Sequence, residues 1–397
     1  MTHDPVVIIG AGLAGYAVAR ELRRLNATLP ITLIASDSAA FYSKPLLSTG
    51  FSAGKSAAQF STQSAQKMQD QLGLTILAQT QVQAIHPEDR QVVCTDRTVS
   101  YSRLVLATGA LPRVPVLDGD ASDVCLAVND LAGYQALYER LQNRPSCASD
   151  QDNALSEPQR IGILGAGLIG CEFANDLQVA GHQVSTIDPG GWPLGRLVPE
   201  AIGSMLSQAL QALGVTMHAG RMCQRIDHHA SRYVMTLDDG SEHNVDHVVS
   251  AIGLVPNTQL ARLAGLQVDQ GVVVDAFLQT SDPFIYALGD CAQVHGGVLP
   301  YVMPIMQCGR ALAQTLSGQP TRVRYPAMPI VTKTPALPLA ICPAMQTTGE
   351  WHIDALDTQA IRAFQYDAQG NPVGFIVGGR YVNEHREHVK AMPAWSE

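Results

Sequence analysis

Short strand-like runs recur along the chain: Val6 to Ile9, Ile161 to Leu164 and Phe284 to Leu288 are apolar without a break, while Ile31 to Ala35 carries Thr32, and Val184 to Ile187 carries Ser185 and Thr186, between apolar ends. Unbroken runs of this length predict parallel strands buried on both faces. Between the first two, apolar positions at Leu13, Tyr16, Ala17, Ala19 and Leu22 predict a helix that stops near Leu25 and Asn26. After Leu164 the same periodicity continues through Phe173, Ala174 and Leu177 to Gly181. Ser56 to Leu72 reads as helical, Leu74 to Ile85 (with Val82) as strand, and Gln91 to Thr98 as half of an antiparallel ribbon. Strand and helix alternate, so the expected class is α/β with parallel sheets.

The turns between these elements are glycine-rich. VVIIGAGLAG, Val6 to Gly15, runs from a strand into a helix, and RIGILGAGLIG, Arg160 to Gly170, repeats the pattern. In the second turn Gly165 permits the tight turn, Gly167 lets the backbone approach a pyrophosphate, and Gly170 lets helix and strand pack closely. Each turn is later answered by an apolar strand ending in A-x-G, two apolar residues and a proline: ATGALP after Tyr101, and AIGLVP after Asn244. The chain therefore reads as one nucleotide-binding unit used twice. The expected fold has two Rossmann-like dinucleotide-binding domains, the first interrupted by the second, and a small α+β C-terminal domain. The expected boundaries are 1–112 and 245–318 for the first, 113–244 for the second, and 319–397 for the last. The polar segment 142–159 is expected to be a mobile surface loop.

An acidic residue at the end of the strand after a glycine turn suits a ribose diol. In the second unit that residue is Asp188, and no arginine follows it directly, which favours NADH over NADPH. In the first unit the place falls to Ser36 or Asp37. Asp290, after Gly289 at the end of a strand, is placed either to bind a ligand hydroxyl or to cap a helix.

Composition narrows the function. Of 397 residues 46% are hydrophobic and 15% charged, and the net charge is −9. That balance argues against nucleic acid or an anionic membrane as main partner, and no apolar run reaches the ~20 residues of a membrane span. The eight cysteines form no CxxC or CxxxxC pair, so no metal knuckle or redox disulfide is expected. The chain enters its first strand without a basic leader or cleavage site, from which a cytoplasmic location is expected. From Cys291 through Gly349 there is no Asp or Glu, while Arg310, Arg322, Arg324 and Lys333 fall inside. In an acidic protein this basic stretch is either simply apolar and partly buried or a landing surface for an acidic partner.

The stretches VVIIGAGLAGY, FYSKPLLSTGF, GAGLIGCEFANDL, IYALGDC, LPYVMPIMQ and VTKTPALPL together resemble the FAD-dependent, glutathione-reductase-like flavoproteins with two dinucleotide domains. Within that group they are most similar to the bacterial rubredoxin–NAD(+) reductases, and the likeness covers nearly the whole chain. The resemblance implies that Gly10, Ala11, Gly12, Leu13 and Ala14 cradle the FAD pyrophosphate and that Asp290, beside Gly289, holds the ribityl chain. By the same resemblance Val82, Ala107, Thr108 and Gly109 border the nucleotide, and Val302 and Lys333 lie by the isoalloxazine. Gly165, Gly167, Leu168, Ile169 and Gly170, with Asp188 and Gly253, would take NADH. Lys44 and Glu172 would meet near flavin N5 as an ion pair. A bare carboxylate in so apolar a stretch needs a partner, although Glu172 also stands where a helix dipole favours an ordinary acid.

The implied reaction passes hydride from NADH to flavin N5 and then single electrons to rubredoxin, docking near Lys333 and the basic stretch. By family analogy rubredoxin then supplies an alkane hydroxylase or an oxygen-detoxifying oxidase. No cysteine occurs between Met1 and Val93, where the thiol-dependent relatives carry theirs, so electrons would leave without a thiol relay. SKPLLST, with Thr49 where ferredoxin reductases of the apoptosis-inducing-factor type have lysine, favours rubredoxin over ferredoxin. The competing enzyme classes are an NADH:ferredoxin reductase and an NADH oxidase. A slow, redox-sensing or structural flavoprotein is a further alternative.

Overall fold

The computed structural model describes residues 4–142, 158–344, 349–357 and 359–395. Most of the polar segment expected to form a mobile loop, 143–157, lies outside them.

The first sheet is parallel and five-stranded, in the order Ile285–Ala287, Arg103–Leu106, Val6–Ile9, Ile31–Ile34, Thr75–Leu77. Its central strand, VVII, is buried at every position, as its unbroken apolar run requires. Register aligns the carboxyl ends: Ile9 pairs with Ile34 and Leu106, and Leu106 with Ala287. Gly10, Ala107 and Leu288 therefore leave the sheet along one edge. The helix Leu13–Leu25 buries Ala14, Tyr16, Val18, Ala19 and Leu22 against it. The helix Val302–Leu316 lies alongside, and Gly309 faces Ala17 so closely that a β-carbon would stand 3.1 Å from its methyl.

The second parallel sheet runs Thr216–Ala219, Gln183–Asp188, Arg160–Leu164, His247–Ser250. Its last strand lies beyond residue 244, so this sheet extends past the boundary expected from sequence, up to Leu254–Pro256. That segment pairs antiparallel with Ala110–Pro112, Leu111 opposite Val255. The two A-x-G exits are thus bonded to each other and form the crossing between the nucleotide units.

The C-terminal sheet is antiparallel and five-stranded, with the GFIVGG segment inside the strand Pro372–Gly379 near its centre. Phe375, Ile376 and Val377 are fully buried there. The charged segment after it forms short helical turns from Val382 to Ala391, and Arg362 clamps Glu384 at 2.7 Å.

Two further sequence expectations change. Ser56 to Leu72 is not one helix: a turn at Ala57–Phe60 is followed by an edge strand at Ser61–Gln63 and a helix at Ala65–Leu72. Ser64 caps that helix by accepting the Lys67 N–H at 3.3 Å, which sets its start. Leu74 to Ile85 divides at Gln79, whose φ of 51° bends the chain from the parallel sheet into an antiparallel ribbon at Val82–His86.

Candidate active site

Both glycine turns are built alike. Gly10 has φ +116° and Gly165 φ +101°, where a side chain is strained. A β-carbon on Gly10 would land on the Ala107 carbonyl, and one on Gly165 would lie 2.6 Å from the Ala251 carbonyl oxygen. Gly170 is pressed in the same way against the Gly165 carbonyl. Gly12 and Gly167 differ, because no atom lies within 4 Å of either β-carbon position. They are the N-cap residues of the helices beginning at Leu13 and Leu168, with no side-chain cap and no acid in the first turn. The backbone is bare and electropositive at the two places where a pyrophosphate would approach.

At the edge of the first sheet, Asp290 follows Gly289 with Oδ1 buried and without a hydrogen-bond partner among the described residues. Burial raises its pKa, and the charge of Lys44 pulls it back down. An orphaned buried acceptor of this kind fits a ligand hydroxyl. Val82 and Ala107 are buried nearby in the same core, Thr108 Oγ1 donates to the Asn257 carbonyl at 2.7 Å, and Gly109 has φ +66°. Val302, 41% exposed, opens the helix Val302–Leu316, whose first turn carries no acid. These residues fit FAD. Ser36 is exposed at the end of its strand, and Asp37 already accepts the Ala39 N–H at 2.9 Å in a turn of its own.

In the second unit, Leu164 pairs with Ile187 and Ser250, which brings Gly165, Asp188 and Ala251 to one edge. Asp188 accepts N–H bonds from Ala166 at 2.6 Å and Gly190 at 2.7 Å, so it braces the glycine turn from below. Leu168 and Ile169 form the first helical turn, with Ile169 45% exposed, and Gly253 has φ +103° at the exit.

The pairing expected for Glu172 is corrected by the structure. Glu172 is buried, and its partner is Lys333: the ammonium lies 2.5 Å from Oε2 and the Lys333 backbone N–H donates to Oε1 at 3.0 Å. Ser48 Oγ also donates to Oε2, at 2.5 Å. Lys44 makes no ion pair within 4.0 Å among the described residues. Burial lowers its pKa, while Asp290 and Asp130 draw it upward. The C-terminal domain folds over the helix Leu168–Val179 and delivers a lysine whose ammonium and backbone N–H both reach the Glu172 carboxylate. Lys44 is left as a partly buried cation whose charged neighbours are Asp290 and Asp130.

Sequence reading missed the rest of this face. Glu172, Asn175 and Asp176 are spaced three and four apart, so they share one side of the helix. Asn175 Oδ1 accepts the Ala336 N–H at 3.0 Å. Asp176 accepts from Phe51 N at 2.8 Å and from the Ser52 hydroxyl, and burial raises its pKa. The visible signal was three polar residues at helical spacing within GCEFAND; what they touch lies more than 120 residues away in sequence.

The seven described cysteines are free, and burial raises the pKa of each. None is a ready thiolate. Among the described residues, no group of three His, Cys, Asp or Glu side chains is arranged to hold a metal, and no helix is long and apolar enough to cross a membrane.

Residues 4–315 match the model of the pyridine nucleotide-disulphide oxidoreductase family, and residues 322–392 match the rubredoxin binding C-terminal domain. The chain belongs to the pyridine nucleotide-disulphide oxidoreductase family. Its curated relatives include the Rubredoxin-NAD(+) reductase of Acinetobacter baylyi, 41% identical with 96% of both chains covered. The Rubredoxin-NAD(+) reductase of Alcanivorax borkumensis is 39% identical, with 98% of this chain and 99% of that one covered. Among solved structures, putidaredoxin reductase in its covalent complex with putidaredoxin superposes with TM-score 0.86 at 25% identity, covering 98% of this chain and 94% of that one.

Proposed function

We propose that this chain is an FAD-dependent NADH:rubredoxin oxidoreductase. The observation that carries it is the join of a two-nucleotide body to a domain of rubredoxin-binding type through Glu172 and Lys333. Gly10 to Ala14, Val82, Ala107 to Gly109, Asp290, Val302 and Lys44 would hold FAD. Gly165 to Gly170, Asp188 and Gly253 would hold NADH. When bound, FAD takes an electron pair from NADH and releases electrons singly, as a one-electron acceptor needs.

The chain's own groups set the conditions for that exchange. The partly buried Lys44 ammonium provides a positive charge beside the site, where partial shielding from water strengthens its effect. Glu172, fully occupied by Lys333 and Ser48, holds the helix that follows the second glycine turn against the loop that carries Lys44. Arg310, Arg322 and Arg324 are exposed and make no ion pair among the described residues, so they remain available to steer an acidic partner. Lys333 spends its charge on Glu172 and contributes less to steering than the sequence suggested.

The cytoplasm is the proposed compartment, and an alkane hydroxylase or oxygen-detoxifying oxidase the proposed consumer of reduced rubredoxin. Steady-state turnover with NADH against rubredoxin, ferredoxin and oxygen tests the assignment. Rubredoxin is expected to be the fastest acceptor, with a KM that rises with added salt while that for NADH holds. Faster turnover on ferredoxin or oxygen would overturn it.

A further inference from the structure

Asn175 takes no part in either nucleotide site, yet it is 3% exposed on a face otherwise occupied by two carboxylates. Its Oδ1 accepts the Ala336 N–H at 3.0 Å, and one turn earlier Glu172 Oε1 accepts the Lys333 N–H at 3.0 Å. Successive side chains of the helix behind the second glycine turn therefore grip one bend of the C-terminal domain at two points.

That bend is closed on itself. The Thr332 and Thr334 hydroxyls lie 2.8 Å apart, the Leu337 N–H donates to the Thr334 carbonyl at 3.0 Å, and the Leu339 N–H donates to Thr332 Oγ1 at 3.0 Å. Thr332 and Thr334 are buried, whereas Val331 and Pro335 are exposed on the outer edge. A unit so cross-linked moves as a body, and two hydrogen bonds to a helix fix its orientation where one would allow it to pivot. A neutral amide supplies the second acceptor without adding a third negative charge to the buried face.

We propose that Asn175 is a positioning residue for the electron acceptor. It holds the Thr332–Leu337 bend, and with it the Lys333 ammonium and the Val331–Pro335 edge, in the orientation on which an acidic iron protein docks. This rests on the rubredoxin assignment above.

The test compares Asn175→Ala with Asn175→Leu in the flavin-loaded protein. Both remove the acceptor, and the leucine keeps the branched shape of the side chain. In both, the KM for rubredoxin is expected to rise about tenfold, the scale of one lost hydrogen bond. Flavin content and NADH-to-ferricyanide turnover should stay within about twofold of the parent, and hydrogen exchange at the Ala336 amide should quicken. A rubredoxin KM unchanged in Asn175→Leu overturns the proposal, as does a parallel fall in ferricyanide turnover, a loss of flavin, or unaltered exchange at Ala336. Parent protein that turns over with ferricyanide and not with rubredoxin overturns instead the assignment beneath it.

Discussion

Glu172 and Lys333 meet twice, through the ammonium at 2.5 Å and the backbone N–H at 3.0 Å, across 161 residues of sequence. The side chain of Glu172 is 3% exposed and that of Lys333 28%, so the pair is largely but not wholly shielded from water. Breaking such a pair from one side strands a buried charge. Lys333→Met is expected to lower unfolding free energy by about 3 kcal/mol at neutral pH. Adding Glu172→Gln should return most of that loss, read from urea midpoints of the flavin-loaded protein. A double variant no more stable than the single one would contradict the pairing.

The glycines of the first turn separate two kinds of damage. A β-carbon at Gly10 collides with the Ala107 carbonyl, whereas one at Gly12 meets no atom of the chain within 4 Å. Gly10→Ala should therefore fail to fold stably. Gly12→Ala should fold, with circular dichroism and apo-protein Tm like the parent, yet purify with little flavin. Full flavin content in Gly12→Ala would show that the open space is not the cofactor's.

Lys44 has its ordinary value of 10.5 lowered by burial. Its folded pKa lies below the unfolded one, so the native state sheds this proton first as pH rises. In that window the unfolded chain binds more protons, and this group's contribution to stability grows with pH while its positive charge is lost. NADH-to-ferricyanide turnover is expected to fall on the alkaline side below pH 10.5. Lys44→Arg should remove that limb, because guanidinium keeps its charge. A limb unmoved in Lys44→Arg would assign it to another group.

Asp188 already accepts two backbone N–H bonds, at 2.6 and 2.7 Å, and still has lone pairs for a ribose diol. Asp188→Ala should raise the KM for NADH about tenfold. The KM for NADPH should change much less, since a 2′-phosphate is repelled by the carboxylate. Equal effects on both nucleotides would reduce Asp188 to a brace for the turn.

Much of the fold was legible because parallel strands buried on both faces must be largely apolar, and because the turns between them admit only glycine at Gly10, Gly165 and Gly170. The internal repeat was visible as two A-x-G exits, though only the structure shows them paired, Leu111 to Val255. What stayed hidden was contact between distant segments. Glu172 carried a clear demand for a partner, but nothing in its spacing distinguishes Lys44 from Lys333. Asn175 and Asp176 looked like ordinary helix residues, since their partners are backbone N–H groups, which every position offers alike. The Ser56–Leu72 segment misled for a local reason: Ser64 both ends an edge strand and starts a helix.

Passage of electrons from NADH through bound FAD to rubredoxin is expected to need no thiol. The decisive measurement follows the flavin absorbance of the purified protein, first with NADH under exclusion of oxygen and then with oxidised rubredoxin, before and after alkylation of every accessible cysteine. The account predicts bleaching by NADH and rapid recovery on rubredoxin, both unchanged by alkylation. A protein that takes up no flavin, or one bleached by NADH that rubredoxin fails to reoxidise, would contradict it.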